Sequence, residues 1–143
     1  EAEPQRPEGT ERHELGGEAM LAVLPPDHPL AGRERLHLRE LAGDTWSAPS
    51  REHLIYRDCV AAGFEPRIAF VTRDVLAARG LVRGGLAVTL VPELVGALFD
   101  DVPVIPLEGA QPRRSLYALT PDAGVRESAL AFLSALRREG LTA

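Results

Sequence analysis

The chain has 143 residues, 45% of them hydrophobic and 26% charged, the balance of an ordinary globular domain with an apolar core, which excludes general disorder outside the termini. Its net charge is −5 and all 16 basic residues are arginine, a GC-rich coding bias; no periodic face gathers them, so this piece is not expected to hold DNA by itself. A single cysteine, Cys59, excludes an internal disulfide and any CxxC metal or redox motif.

The apolar runs fall short of the roughly 18 residues a membrane span needs, and "EAEPQRPEGTERHE" at the start is too polar for a secretory signal. A soluble, cytoplasmic protein is therefore expected, in contact with no membrane. Residues 1–17, rich in Glu, Pro, Gly and Arg without periodicity, read as a loop or exposed tail. "AMLAVLPP", Ala19 to Pro26, is a short apolar run stopped by two prolines and predicts a buried strand. "RERLHLRELAG" brings Leu36, Leu38 and Leu41 together before Gly43, a short helical turn capped by glycine.

"SREHLIYRDCVAAGFEP" carries the clearest helical spacing, with Leu54, Ile55, Cys59, Val60 and Ala62 on one side, Ser50 as its expected cap and Gly63 as its stop. "RIAFV", Arg67 to Val71, predicts a strand. Asp74 then caps a second helix that runs to Gly84 and Gly85. "LAVTLVP", Leu86 to Pro92, reads as a strand buried on both faces. Beyond it come a short helix in "ELVGALF", strands in "VPVIPL" and "RRSLYALTP", and a closing helix in "VRESALAFLSALRREG". Leu130, Phe132, Leu133 and Leu136 define its expected apolar face, with Arg137 and Arg138 in its last turn. Alternating strands and helices predict an α/β fold with a mostly parallel sheet.

The ordered series "LAVLPPDHPLAG", "LHLRELAGDTW", "CVAAGFEPRIAF", "LVRGGLAVTLVPEL", "RRSLYALT" and "ALAFLSALRR" resembles the effector-binding domain of LysR-type transcriptional regulators from about Glu18 to Arg138. The resemblance implies an α/β fold of the periplasmic-binding-protein-like type 2 class, two subdomains joined by crossing strands with a ligand between them. Subdomain two is expected complete and subdomain one partial, the chain matching only the C-terminal portion of the family pattern. On that reading residues 1–17 are a flexible N-terminal segment, 18–107 the crossing strand plus effector subdomain two, and 108–143 the return strand and C-terminal helix belonging to subdomain one. The His28-Pro29-Leu30-Ala31 turn is the entry to subdomain two, with Pro29 holding its predecessor extended and Leu30 plugging the new core. Where the family has Gly-Leu-Gly this chain has Gly85-Leu86-Ala87, a departure not expected to abolish the fold.

Folds of this kind bind ligands beyond the carboxyl ends of strands and at helix N-termini, which selects two segments. In "WSAPSRE", Ser47, Ser50 and Arg51 are effector-binding candidates, although Ser50 as a plain cap and Arg51 as a solvated charge explain them equally. In "FVTRD", Thr72 offers a hydroxyl and Arg73 a charge, the rival reading being an exposed arginine beside a cap. Val91 lines the cleft from the second crossing, and is also core if it does.

No catalytic residue, metal site or cofactor is expected. His13, His28, His37 and His53 read as scattered surface histidines, Asp27 and His28 as chain neighbours pointing apart, and no nucleophile motif appears. Cys59 reads as a buried inert thiol and Trp46 as a core aromatic. The implied function is that of a bacterial effector sensor. It takes a small anionic metabolite such as a carboxylate, forms a dimer or tetramer, and reaches DNA only through an N-terminal helix-turn-helix outside this chain. The alternatives are a solute-binding α/β domain with no DNA-binding partner, and a fragment that only self-associates.

Overall fold

A computed structural model describes residues 7–109 and 112–138 of the chain. They form two compact units, one within residues 19–112 and one combining residues 7–18 with 113–138. Strand β1, Thr10–Val23, contributes its second half to the first of these and its first half to the other.

In the 19–112 unit, Met20 to Val23 pair antiparallel with β4, Thr89–Pro92, while Leu21 to Val23 pair antiparallel with β5, Val104–Pro106. A second layer pairs β2, Thr45–Ala48, in parallel with β3, Arg67–Val71. On its other side β2 meets Val88 in parallel, through Ser47 N to Val88 O at 2.9 Å and Val88 N to Thr45 O at 2.8 Å. The expected mostly parallel sheet is therefore confined to this layer. Helix α1, Leu54–Ala61, joins β2 to β3 and α2, Val75–Arg83, follows β3. Helix α1 supplies the crossover that the parallel β2–β3 pair requires, whereas β1 pairs antiparallel with both β4 and β5.

Both helices stop where glycine allows it. Gly63 has φ 90° and Gly85 φ 73°. Phe64 N reaches Cys59 O and Gly63 N reaches Val60 O, while Leu86 N reaches Leu81 O and Gly85 N reaches Val82 O, the paired bonds of a Schellman motif in each case. Ala87, in place of the family's second glycine, is simply buried.

The helix starts divide. Asp74 caps α2 as expected, its carboxylate accepting from Leu76 N at 2.8 Å and Ala77 N at 3.1 Å. Ser50 does not cap α1: His53 does, its ring accepting from Ile55 N at 3.4 Å. Residues 50–53 are taken up by a turn in which the Ser50 carbonyl accepts from His53 N, so the helix begins one turn later.

Trp46, Leu36, Leu41, Ile55, Cys59 and Leu107 are fully buried in one core cluster, with Leu30 packed against it as anticipated. The Trp46 indole stacks tilted on Phe64 at 6.1 Å and donates to Leu41 O at 3.3 Å. The HPLA turn is held by its histidine, whose Nδ1 accepts from Leu30 N at 3.1 Å while Nε2 faces Asp44 Oδ1 at 3.1 Å. His28 is thus a paired histidine, and its partner is not the neighbouring Asp27 but a carboxylate 16 residues away.

In the other unit, the first half of β1 pairs with β6, Arg113–Pro121. His13 lies opposite Thr120 at 2.8 Å and Gly17 opposite Arg113 at 3.1 Å, so the strands run antiparallel. Residues 10–17 are accordingly strand, not the expected loop; the part of that expectation covering residues 1–6 lies outside the described residues. Glu18 is buried and ion-paired with Arg114. His13 is largely covered, its Nδ1 accepting from Arg137 of helix α4, Glu127–Arg138, at 3.4 Å. The expected apolar face of α4 is covered only in part: Leu133 is buried, whereas Leu130 and Phe132 are 49% and 64% exposed.

Candidate functional site

The parallel layer brings the two selected segments to one edge. β2 ends at Ala48 and β3 at Val71, and Thr72 N donates to Ala48 O at 3.1 Å. The turn leading into α1 and the link leading into α2 therefore start side by side, as the carboxyl ends of neighbouring parallel strands must. Electrostatics records the same convergence. The His53 imidazole is held below its ordinary pKa, first by burial and then by the positive charges of Arg57 and Arg73. His53 is the residue that sequence reading missed, because histidine is not among the preferred helix caps and no local spacing ties it to Arg73.

Of the residues selected from sequence, Ser47 is 1% exposed and its hydroxyl has no hydrogen-bond partner among the described residues. A buried, unsatisfied hydroxyl is uncommon and calls for a water or a ligand group. Its backbone is fully used, the Ser47 carbonyl accepting from the Thr89 hydroxyl at 2.9 Å. Ser50 is half-buried in the turn before α1. The Thr72 hydroxyl accepts from Asp74 N at 3.1 Å, which leaves its own hydrogen to donate. Arg73 is exposed and makes no ion pair among the described residues.

Arg51 and Val91 stand apart from this group. Arg51 lines a cavity of about 560 Å³ with Tyr56, Arg57, Glu65, Pro66 and Ile68, to which none of the other five candidates contributes. Val91 is buried among Val23, Val82, Phe99 and Val102, so its side chain is spent on packing. Two further cavities, of about 340 Å³ around His28 and Arg67 and about 440 Å³ around His37 and Glu108, lie away from the group.

Cys59 is buried and its thiol is pushed up to about 12 by burial and then by the charge of Asp58, which leaves it un-ionised at neutral pH. Among the described residues no three His, Cys, Asp or Glu side chains gather as a metal site. No helix of the described residues is long and apolar enough to cross a membrane.

The family model of the LysR substrate binding domain matches residues 2–141. The transcriptional dual regulator GltC of Bacillus subtilis is 33% identical over 113 residues, covering 73% of this chain and 37% of that protein. The HTH-type transcriptional regulator ShiR of Corynebacterium glutamicum is 34% identical over 87 residues, covering 57% of this chain and 30% of that protein. The chain thus spans about a third of the length of the curated relatives it matches. Among solved structures, the LysR family regulator HinK of Pseudomonas aeruginosa superposes with a TM-score of 0.82 at 21% identity, over 96% of this chain and 51% of that one. The effector-binding domain of QuiR in complex with shikimate gives 0.79 at 18% identity, over 96% of this chain and 68% of that one. At these identities the superpositions establish the fold, which is that of the periplasmic-binding-protein-like effector domains. The named relatives are transcription regulators, not enzymes. With the family match running over nearly its whole length, the chain belongs to the LysR substrate-binding-domain family, the effector-binding domain of LysR-type transcriptional regulators.

Proposed function

We propose that this chain senses a small anionic metabolite on behalf of a bacterial transcription regulator. The effector binds at the carboxyl edge of the β2–β3 layer, where Ser50, Thr72 and Arg73 offer donors and charge, Ser47 an unsatisfied hydroxyl, and His53 a neutral imidazole among arginines. Arg51, which lines a separate cavity on the α1 flank, and Val91, packed in the core, take no direct part in it. The observation that carries the reading is the convergence of two segments 24 residues apart, through the bond from Thr72 N to Ala48 O and the field of Arg73 on His53.

Binding favours one of two conformations, and the difference in affinity for them is the signal. The signal passes within a dimer or tetramer to a DNA-binding domain outside the matched region. The printed names of the longer relatives, HTH-type regulators, favour a helix-turn-helix there. The compact unit of residues 19–112 supports assigning residues 18–107 to effector subdomain two, and the grouping of 113–143 with the N-terminal strand supports assigning 108–143 to subdomain one. The exposed Leu130 and Phe132 favour association with further copies.

The test is a thermal-shift and calorimetric screen of the chain with small carboxylates, aromatic acids and amino acids, repeated on Ser50→Ala and Arg73→Gln. Stabilisation that is weakened in Ser50→Ala and lost in Arg73→Gln is the expected result. Stabilisation that survives both replacements moves the effector elsewhere and refutes the site.

A further inference from the structure

We infer a second small-molecule site, on the flank of the 19–112 unit and independent of the effector edge, that takes a zwitterionic α-amino acid with an apolar side chain. The site is the cavity of about 560 Å³ between helix α1 and the start of β3, a volume within the range of small-molecule pockets. None of Ser47, Ser50, Thr72 and Arg73 lines it. The buried part of its wall is apolar, formed by Pro66 and Ile68. The exposed part carries two cations, Arg51 and Arg57, and two carboxylates, Glu52 and Glu65.

These four charged groups share one cavity, yet none of them forms an ion pair among the described residues, whose ion pairs lie elsewhere. Glu65 is held instead by the Tyr56 hydroxyl, which donates to its Oε1 at 3.3 Å and leaves Oε2 open to a ligand. A plain anion in this cavity meets two repelling carboxylates, and a plain amine meets two repelling guanidinium groups. A molecule bearing both charges pairs with both sets at once, its carboxylate with Arg51 and Arg57 and its ammonium with Glu52 and Glu65. An α-amino acid carries these two groups on one carbon. Its side chain then covers Pro66 and Ile68, and that apolar contact adds to the charge-assisted bonds.

Calorimetric titration of the chain with L-leucine tests this, set against 4-methylpentanoate, which lacks the ammonium, and isoamylamine, which lacks the carboxylate. Leucine is expected to bind about tenfold or more tightly than either analogue. Arg57→Gln, an exposed replacement, is expected to weaken leucine by about tenfold, and Glu65→Gln to erase its advantage over 4-methylpentanoate. Tyr56→Phe keeps the ring and releases Glu65, so it is expected to weaken leucine and leave 4-methylpentanoate unchanged. Arg73→Gln, at the effector edge, is expected to leave leucine binding as it is. Leucine binding lost in Arg73→Gln and retained in Arg57→Gln and Glu65→Gln assigns the amino acid to the effector edge, which overturns the second site and leaves the effector reading standing. Equal affinity for leucine and either analogue, or no binding of leucine, also overturns the inference.

Discussion

Replacing His28 with alanine tests the account of the turn that opens the 19–112 unit. The imidazole is mostly covered, with a side-chain exposure of 11%. It accepts from Leu30 N and donates from Nε2 to Asp44, both at 3.1 Å, the tautomer following from Nδ1 being the acceptor. Each such bond is worth about 1 kcal/mol net, and a bond to a carboxylate somewhat more. Alanine also strands the Leu30 amide beside the core that Leu30 helps to close. The expected loss is about 2–3 kcal/mol.

Asparagine at position 28 keeps an acceptor two residues before Leu30 and loses only Asp44, so His28→Asn should cost about half as much. A double-mutant cycle with Asp44→Ala should show about 1 kcal/mol of coupling. The assay is urea unfolding at neutral pH followed by the fluorescence of Trp46, the one tryptophan of the chain and fully buried in the same unit. A loss below about 0.5 kcal/mol for His28→Ala, or no coupling to Asp44, would refute the reasoning. The turn would then be held by Pro29 and Leu30 alone.

His53 is neutral-favoured in the folded chain and ordinary in the unfolded one, so the unfolded state binds more protons once pH falls below the imidazole's usual range. Stability should therefore decline as pH drops from about 6.5, and His53→Gln should flatten that decline in a pH series of urea midpoints; an unchanged slope counts against burial and the neighbouring arginines as its cause. Cys59, held un-ionised to about 12, should resist thiol reagents at pH 8 until urea unfolds the chain, and stability should fall above about pH 9, where only the unfolded thiol ionises; rapid labelling of the native protein contradicts this. Gly85→Ala places its methyl in open space but forces a side chain to φ 73°, so a loss of about 1–2 kcal/mol is expected from backbone conformation alone. A neutral result in urea unfolding would show that the α2 terminus does not need the left-handed residue.

Much of the candidate site was legible because its signals are short-range. Thr72 and Arg73 follow a β-prone pentapeptide, and Asp74 is the preferred kind of cap, so their position at a strand end could be read from six residues. Ser47 and Ser50 were selected because they precede a helical pattern, but strand β2 and their own states were not legible. Whether a hydroxyl is satisfied depends on everything around it, and Ser50 lost the helix cap to His53 because the intervening turn closes on its own carbonyl. Arg51 and Val91 show the converse. Their positions in the chain matched the rule, while packing turned one toward a flank cavity and buried the other in a core cluster.

By itself the sequence determined the glycine-terminated ends of α1 and α2, the Asp74 cap and the strand Arg67–Val71, since these follow from backbone preferences and apolar spacing within a few residues. The tertiary structure alone decided that residues 10–17 are strand, that β1 pairs antiparallel with β4 and β5, that His28 answers to Asp44, and that Leu130 and Phe132 stay in water. The polar N-terminal stretch has no strand-like pattern of its own; it is ordered by β6, about a hundred residues later in the chain. Partners brought from such distances satisfy backbone and side-chain groups that no local window can match, because the hydrogen bonds that fix them exist only once the chain has closed upon itself.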